Sequence, residues 1–194
     1  MSRYCILTTD LQQELVEKNE QRKAQFWRTA PNLIRFLDDM RKLNVPIIHL
    51  QLIYDEHDKR VERHNGRLPV LRGTPGAAIL PDFLKASDDV IEKKRDSGFF
   101  ETRLEERLLT LGVDTVIITG MQAQICIQTT AADAHFRGYV VIIPSDGIIS
   151  TRDEDLIRAL AWLQSYCAVV EPMSSIFHKV SIGAPFDHEL PTIP

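Results

Sequence analysis

Asp10, Lys93 and Cys126 each stand at or just past the carboxyl end of a short apolar run that reads as a strand. Together they supply a base, a cation and a nucleophile, the set that covalent acyl transfer requires. Singly, each has an ordinary reading. An Asp after a strand caps a turn, a Lys there is solvated, and a lone Cys is a small buried hydrophobe. Their common placement gives the combination its meaning. In a parallel sheet the carboxyl ends of the strands share one edge, and open α/β sheets hold their ligands there. Cys126 follows the strand TVIIT and a turn at Gly120, in the first turn of a helix expected from about Ile125 to Phe136, with Gly138 closing it. The positive end of the helix dipole favours a thiolate at that place.

The elements that must position these side chains alternate along the chain. Tyr4 to Thr9 is the first strand. The segment from Leu11 to Ala30 is mixed and polar, and Pro31 opens a helix in which Leu33, Ile34, Leu37 and Met40 recur at helical spacing. Val45 to Ile53 is the second strand, residues 54–81 form an irregular loop rich in Gly and Pro, and DVIEK is the third strand. Thr102 with Glu105, and Thr151 with Glu154, have capping-box spacing ahead of two further helices. Tyr139 to Pro144 and Tyr166 to Val170 are the last strands, and residues 171–194 form a proline-rich tail. The pattern predicts one domain over residues 1–194: a three-layer α/β/α fold around a mostly parallel six-stranded sheet.

Composition narrows the functions. Of 194 residues, 44% are hydrophobic and 26% charged, and the net charge is -4 with no basic run. Nucleic acid is an unlikely partner without a Lys/Arg footprint. No apolar stretch approaches the ~18 residues of a membrane span, and the start reads as a strand rather than a leader. Three cysteines without a CxxC pair suit a reducing compartment, so a cytoplasmic location is expected. Apolar residues in the loop (Leu68, Val70, Leu71, Ile79) and tail (Ile176, Phe177, Ile182, Phe186) predict a homodimer or homotetramer that covers them.

The run VIEKKRDSGFFETRLEERLLTLGVDTVIITGMQAQICIQTTAADAHFRGYVVIIPSDG resembles the isochorismatase-like cysteine hydrolases, nearest to their ureidoacrylate, biuret and N-carbamoylsarcosine amidohydrolase branch. The likeness begins at Asp10 and Gln12 in TTDLQ. It continues with Lys93 six residues before Phe99, and Gly120 six before Cys126. It implies an Asp10–Lys93–Cys126 triad, a cis peptide at Met121–Gln122, and an oxyanion hole made by the backbone N–H groups of Gln122 and Cys126. A substrate pocket is expected from Gln12, Gln51, Tyr54, Phe99 and Gln122. The implied substrate is a small, uncharged or weakly charged carboxamide, carbamoyl or ureido compound, hydrolysed without a cofactor. Where the family often has Thr three residues before the cysteine, this chain has Ala123.

Asp55, His57 and His64 resemble the Asp-x-His…His metal pattern of nicotinamidases. Asp55, however, lies later after the second strand than that pattern places it, and no further His follows in the loop. No metal is therefore expected, and His135 and His178 are read as structural. Two other readings stand beside the amidohydrolase: a non-catalytic oligomeric module of the same fold, and vinyl-ether hydrolysis of the isochorismatase type. Cys126 favours amide chemistry over the latter.

Overall fold

The computed structural model describes residues 3–60 and 68–186. Its parallel sheet has the order β3-β2-β1-β4-β5-β7, built from β1 (Tyr4–Thr9), β2 (Ile47–Leu52), β3 (Asp89–Lys93), β4 (Thr115–Met121), β5 (Val140–Pro144) and β7 (Val169–Glu171). A further short strand, β6 (Ile148–Ile149), pairs with β4 at Gly120 and Met121. The flanking helices are α1 (Gln13–Val16), α2 (Glu20–Lys42), α3 (Leu104–Leu111), α4 (Gln128–Phe136), α5 (Asp153–Tyr166) and α6 (Met173–Ile182). Two residues are too few to register as a strand by alternation, which is why β6 escapes a sequence-based expectation.

The strands read as unbroken apolar runs because both faces are covered. Cys5, Leu7, Ile48, Leu50, Val116, Ile118, Val141 and Ile143 point into a core closed by α3, α4 and α5. Their neighbours Ile6, Ile47, Ile117 and Ile142 point the other way, against Phe26, Leu33, Leu37 and Met40 of α2 and Met173 and Ile176 of α6. The chain thus forms a three-layer α/β/α fold.

Several elements differ from expectation. Pro31 does not open a helix but sits inside α2, which begins at Glu20 under an Asn19 cap that accepts from the Arg22 N–H at 2.8 Å. Phe26, Ala30, Leu33, Leu37 and Met40 make one buried stripe across the proline, and burying that stripe outweighs the backbone bond the proline removes. β4 does not turn at Gly120 but runs on to Met121. Gly120 adopts φ 106°, and a Cβ there would meet the Thr9 carbonyl oxygen at 2.3 Å, so β1 and β4 approach closely only because the side chain is missing. Neither capping box forms. Glu105 pairs with Arg137, and Thr151 is engaged elsewhere. Tyr166 and Cys167 end α5 rather than opening a strand.

Several of the apolar loop and tail residues find cover within the chain. Leu68 and Val70 join Leu52, Ile53, Tyr54 and Ala77 in a small core of their own, and Ile79 and Ile176 are also buried. Leu71, Phe177 and Phe186 are half-buried and Ile182 is 63% exposed, so only part of the apolar surface expected to drive self-association is covered within the chain. Exposed apolar residues are scattered over several elements, and on α4 and α5 Phe136 (69% exposed) and Trp162 each touch the half-buried Tyr166 ring to ring. No helix among the described residues is long and apolar enough to cross a membrane.

Candidate active site

Asp10 follows β1, Lys93 ends β3, and Cys126 lies in the single turn of wider helix, Ala123–Ile127, that joins β4 to α4. Because β2 separates β1 from β3, the Lys93 and Asp10 side chains must together bridge two strand spacings, roughly 10 Å. A long lysine meeting the Asp10 carboxylate across a short ion pair closes that gap. Its Nζ lies 2.9 Å from Asp10 Oδ1, 3.2 Å from Oδ2 and 3.7 Å from Cys126 Sγ. The same ammonium donates to the Arg95 and Asp96 carbonyls at 3.2 and 3.4 Å, as the chain after β3 curls back over it. All three side chains are buried, Cys126 being 6% exposed.

Local structure holds each member. Asp10 takes a left-handed backbone (φ 57°), which Asp tolerates better than most residues, and its N–H bonds the Leu50 carbonyl. Thr9 Oγ1 donates to the Met121 carbonyl at 2.9 Å and ties the end of β4 to β1. The Met121–Gln122 peptide is cis, and the Gln122 carbonyl then accepts from Ile125 and Ile127 N–H.

The electrostatics differ from the expected poised thiolate. Burial pushes the Cys126 thiol well above its ordinary range, and the Asp10 charge pushes it further, with Lys93 only partly opposing. Cys126 lies, as expected, in the opening turn of a helical run, the wider turn Ala123–Ile127 that continues directly into α4, yet burial and Asp10 dominate its titration. Burial likewise works to lower the Lys93 pKa, but Asp10 and Cys126 outweigh it and the pKa is raised. The resting arrangement is therefore an ion pair, Asp10 with Lys93, beside a neutral thiol.

The other expected pocket residues separate into different roles. Gln12 spends its amide on the backbone, donating to the Leu52 and Ala77 carbonyls at 2.8 and 2.7 Å and accepting from Leu52 N–H. It braces the loop and has no donor left for a substrate. Gln51 also bonds the Ala77 carbonyl, at 2.8 Å. Tyr54 is buried in the loop core with its hydroxyl accepting from Arg60 at 3.2 Å. Phe99 packs in the main core against Tyr139 (6.0 Å between rings), with the Arg137 guanidinium 4.9 Å from its ring. Gln122 Oε1 accepts from the N–H and hydroxyl of Thr151 at 3.0 and 3.2 Å, and Thr151 Oγ1 accepts from Arg22. The sequence alone points to no site role for Arg22, which lies in a mixed and polar segment, or for Thr151, which has capping-box spacing.

Asp55 does not fit a metal ligand. Its two oxygens are taken by Arg72 Nε at 2.7 Å and Lys94 Nζ at 2.6 Å, and these bonds hold its pKa down at about 2. His57 is exposed, and His64 lies outside the described residues. Among the described residues no group of three His, Cys, Asp or Glu side chains is arranged to hold a metal ion.

Known proteins share this architecture. The chain is 30% identical over 129 residues to Nicotinamidase 3 of Arabidopsis thaliana, covering 63% of this chain and 65% of that one, just under two thirds of the relative's length. An isochorismatase-like hydrolase structure from Alkaliphilus metalliredigens is 25% identical with a TM-score of 0.83, over 91% of this chain and 98% of that one. N-carbamoylsarcosine amidase from Thermoplasma acidophilum is also 25% identical, with a TM-score of 0.75 over 88% and 96%. With the isochorismatase domain model matching residues 4–175, the chain belongs to the isochorismatase domain family.

Proposed function

We propose that the protein is a cysteine-dependent hydrolase of a C–N amide bond in a small carboxamide, carbamoyl or ureido compound. One observation carries this reading. A buried ammonium holds a carboxylate at 2.9 Å and a thiol at 3.7 Å, on the sheet edge where ligands bind in such folds. Similarity to a nicotinamidase and an N-carbamoylsarcosine amidase supports the same bond type.

The charges set the order of events. Cys126 is protonated at rest, so its proton must leave as Sγ attacks the substrate carbonyl carbon, and Asp10 is the base. Lys93 keeps the carboxylate in place and stabilises sulfur as it becomes negative. The tetrahedral oxygen is received by the backbone N–H groups of Gln122 and Cys126; losing one such donor in other enzymes costs on the order of 3 kcal/mol. Asp10 then gives its proton to the departing nitrogen, which leaves as ammonia or an amine, and a thioester remains on Cys126. Asp10 next deprotonates a water that attacks the thioester. The acid is released, the thiolate recovers its proton, and all atoms balance.

Ammonia release from a panel of small amides and ureides, with mass spectrometry for a Cys126 thioester, tests the proposal. A panel with neither turnover nor adduct would overturn it. Self-association is part of the same reading, supported by the Phe136–Tyr166–Trp162 surface; a monomer by light scattering at micromolar concentration would count against it.

A further inference from the structure

Lys93 ends β3, and the chain beyond it bends over its ammonium. An ammonium carries three N–H donors. Asp10 at 2.9 Å, the Arg95 carbonyl at 3.2 Å and the Asp96 carbonyl at 3.4 Å offer an acceptor for each. Burial works against the Lys93 charge. The charges that oppose it are Asp10, Cys126 as a thiolate, and Asp96 from the bend itself. Yet no backbone-to-backbone hydrogen bond joins residues 94–96 to another element among the described residues.

Side chains hold the bend instead. Beyond it, Ser97 Oγ donates to Asp133 of α4 at 2.5 Å. Within it, three successive residues each meet a residue of the loop that follows β2. Lys94 Nζ lies 2.6 Å from Asp55 Oδ2, Arg95 Nη1 3.0 Å from Asp58 Oδ2, and Arg60 Nη1 3.6 Å from Asp96 Oδ1. The three pairs are unequal. Lys94 and Asp55 are both open to water, which screens their attraction. The Asp58 side chain is covered, at 7% exposed, and its other oxygen accepts the Arg60 N–H at 2.8 Å. A carboxylate bonded on both oxygens is a fixed point rather than a wandering surface charge. Arg95 Nη1 also donates to the Lys94 carbonyl at 2.6 Å, so one guanidinium ties the bend both to itself and to Asp58.

We infer that Asp58, acting through Arg95, is a positioning residue: it holds the 94–96 bend over Lys93 so that two carbonyls aim the ammonium between Asp10 and Cys126. Without that hold the ammonium keeps Asp10 and loses two of its three fixed acceptors. The triad is then complete in residues but not in geometry, because Lys93 no longer stands where it steadies the charge on sulfur. The effect on turnover rests on the amide-hydrolase reading above, whereas the hold on Lys93 does not.

The test follows the Lys93 ammonium directly, by heteronuclear NMR of its N–H protons in the wild type, Asp58→Asn and Arg95→Met. Exchange of these protons with water is expected to be about tenfold or more faster in both variants, since hydrogen bonds to a charged donor are loosened in each. The two substitutions change the net charge in opposite directions. By charge alone Asp58→Asn would speed base-catalysed exchange and Arg95→Met would slow it, so acceleration in both isolates the hold on the bend. A role confined to stability would lower Tm and leave exchange in the folded variants as it was. In parallel kcat should fall about tenfold with KM kept within about threefold, since alignment of the triad is disturbed and the pocket is not. Exchange unchanged in both variants, or faster in one and slower in the other, overturns the inference and leaves the hydrolase standing where amides are still turned over. Faster exchange with kcat untouched overturns it as well. Faster exchange in both variants, with no amide turned over by the wild type, keeps the hold and removes the hydrolase. If Asp58→Asn does not fold, Arg95→Met decides alone, because its expected sign is opposite to that of its charge.

Discussion

Asp10→Asn should give a protein that is inactive yet has a more reactive cysteine. The substitution keeps size and removes one charge. In the native site a Cys126 thiolate would lie 3.7 Å from the Lys93 ammonium, worth roughly 4 kcal/mol at an effective dielectric of about 20. Asp10 sits on the same ammonium at 2.9 Å and cancels much of that attraction, which is one reason the thiol stays protonated. Removing the carboxylate releases a gain whose ceiling is a factor of about 10³ in thiolate population. Part is taken back, because burial then acts on Lys93 without its main counter-ion, although the Arg95 and Asp96 carbonyls still receive it. A rise of about tenfold in iodoacetamide labelling of Cys126 at pH 7 is therefore expected, together with loss of ammonia release because an amide cannot accept and return the proton. Circular dichroism checks that the fold is kept. Unchanged or slower labelling of a folded variant would refute the charge argument, and near-normal kcat would remove Asp10 as the base.

Cys126 should be alkylated ahead of Cys5 and Cys167, which are fully buried, with burial pushing the Cys167 thiol to about 11 and Cys5 higher still; peptide mapping of singly labelled protein decides the order. Cys126→Ala should fold normally and lose at least about 10³-fold in kcat, as nucleophile removal does elsewhere. Exhaustive chelation should leave turnover intact, and His57→Ala should stay within about twofold of wild type, since Asp55 is committed to Arg72 and Lys94; a chelator-sensitive enzyme restored by zinc would reverse this. His49 offers a pH signature in stability. Burial holds its pKa below the ordinary 6.5 despite Asp88 nearby, so the unfolded chain takes up the proton first. Its contribution is thus complete above pH 6.5 and shrinks as the pH falls from there towards the folded pKa. Denaturant melts of His49→Gln should lose that limb, and an identical pH slope in the variant would count against the assignment.

Much of this arrangement is visible in the sequence because it depends on local pattern. The strands Tyr4–Thr9 and Asp89–Lys93 and the placement of Asp10, Lys93 and Cys126 at one sheet edge follow from apolar runs and what ends them. What escapes is settled by distant partners. Pro31 lies within a helix because a buried stripe crosses it, and Thr151 turns from a helix cap to Gln122 and Arg22. Phe99 has the spacing of a site residue, yet Tyr139 and Arg137 hold it in the core. The protonated state of Cys126 is the least legible feature. It depends on how completely water is removed and on a carboxylate more than a hundred positions away along the chain, neither of which residue types reveal.

The bond that spans β2 also affects how the sheet opens. β3 is a border strand, and border strands usually detach first in local fluctuations, exposing their amides to exchange. Here, peeling the last residue of β3 away would part Lys93 from Asp10 and leave two opposite charges without partners beside a buried sulfur. The ladder between β2 and β3 is thus bolted at its carboxyl end by a contact with the residue that follows a third strand, while its amino end is fastened by Asp89 to Arg107 and by the buried Asp88 to Arg41 and His49. This border strand is therefore pinned at both ends, and fraying should be suppressed along its whole length. Release of the Lys93 end alone would strand a buried ion pair beside the candidate nucleophile.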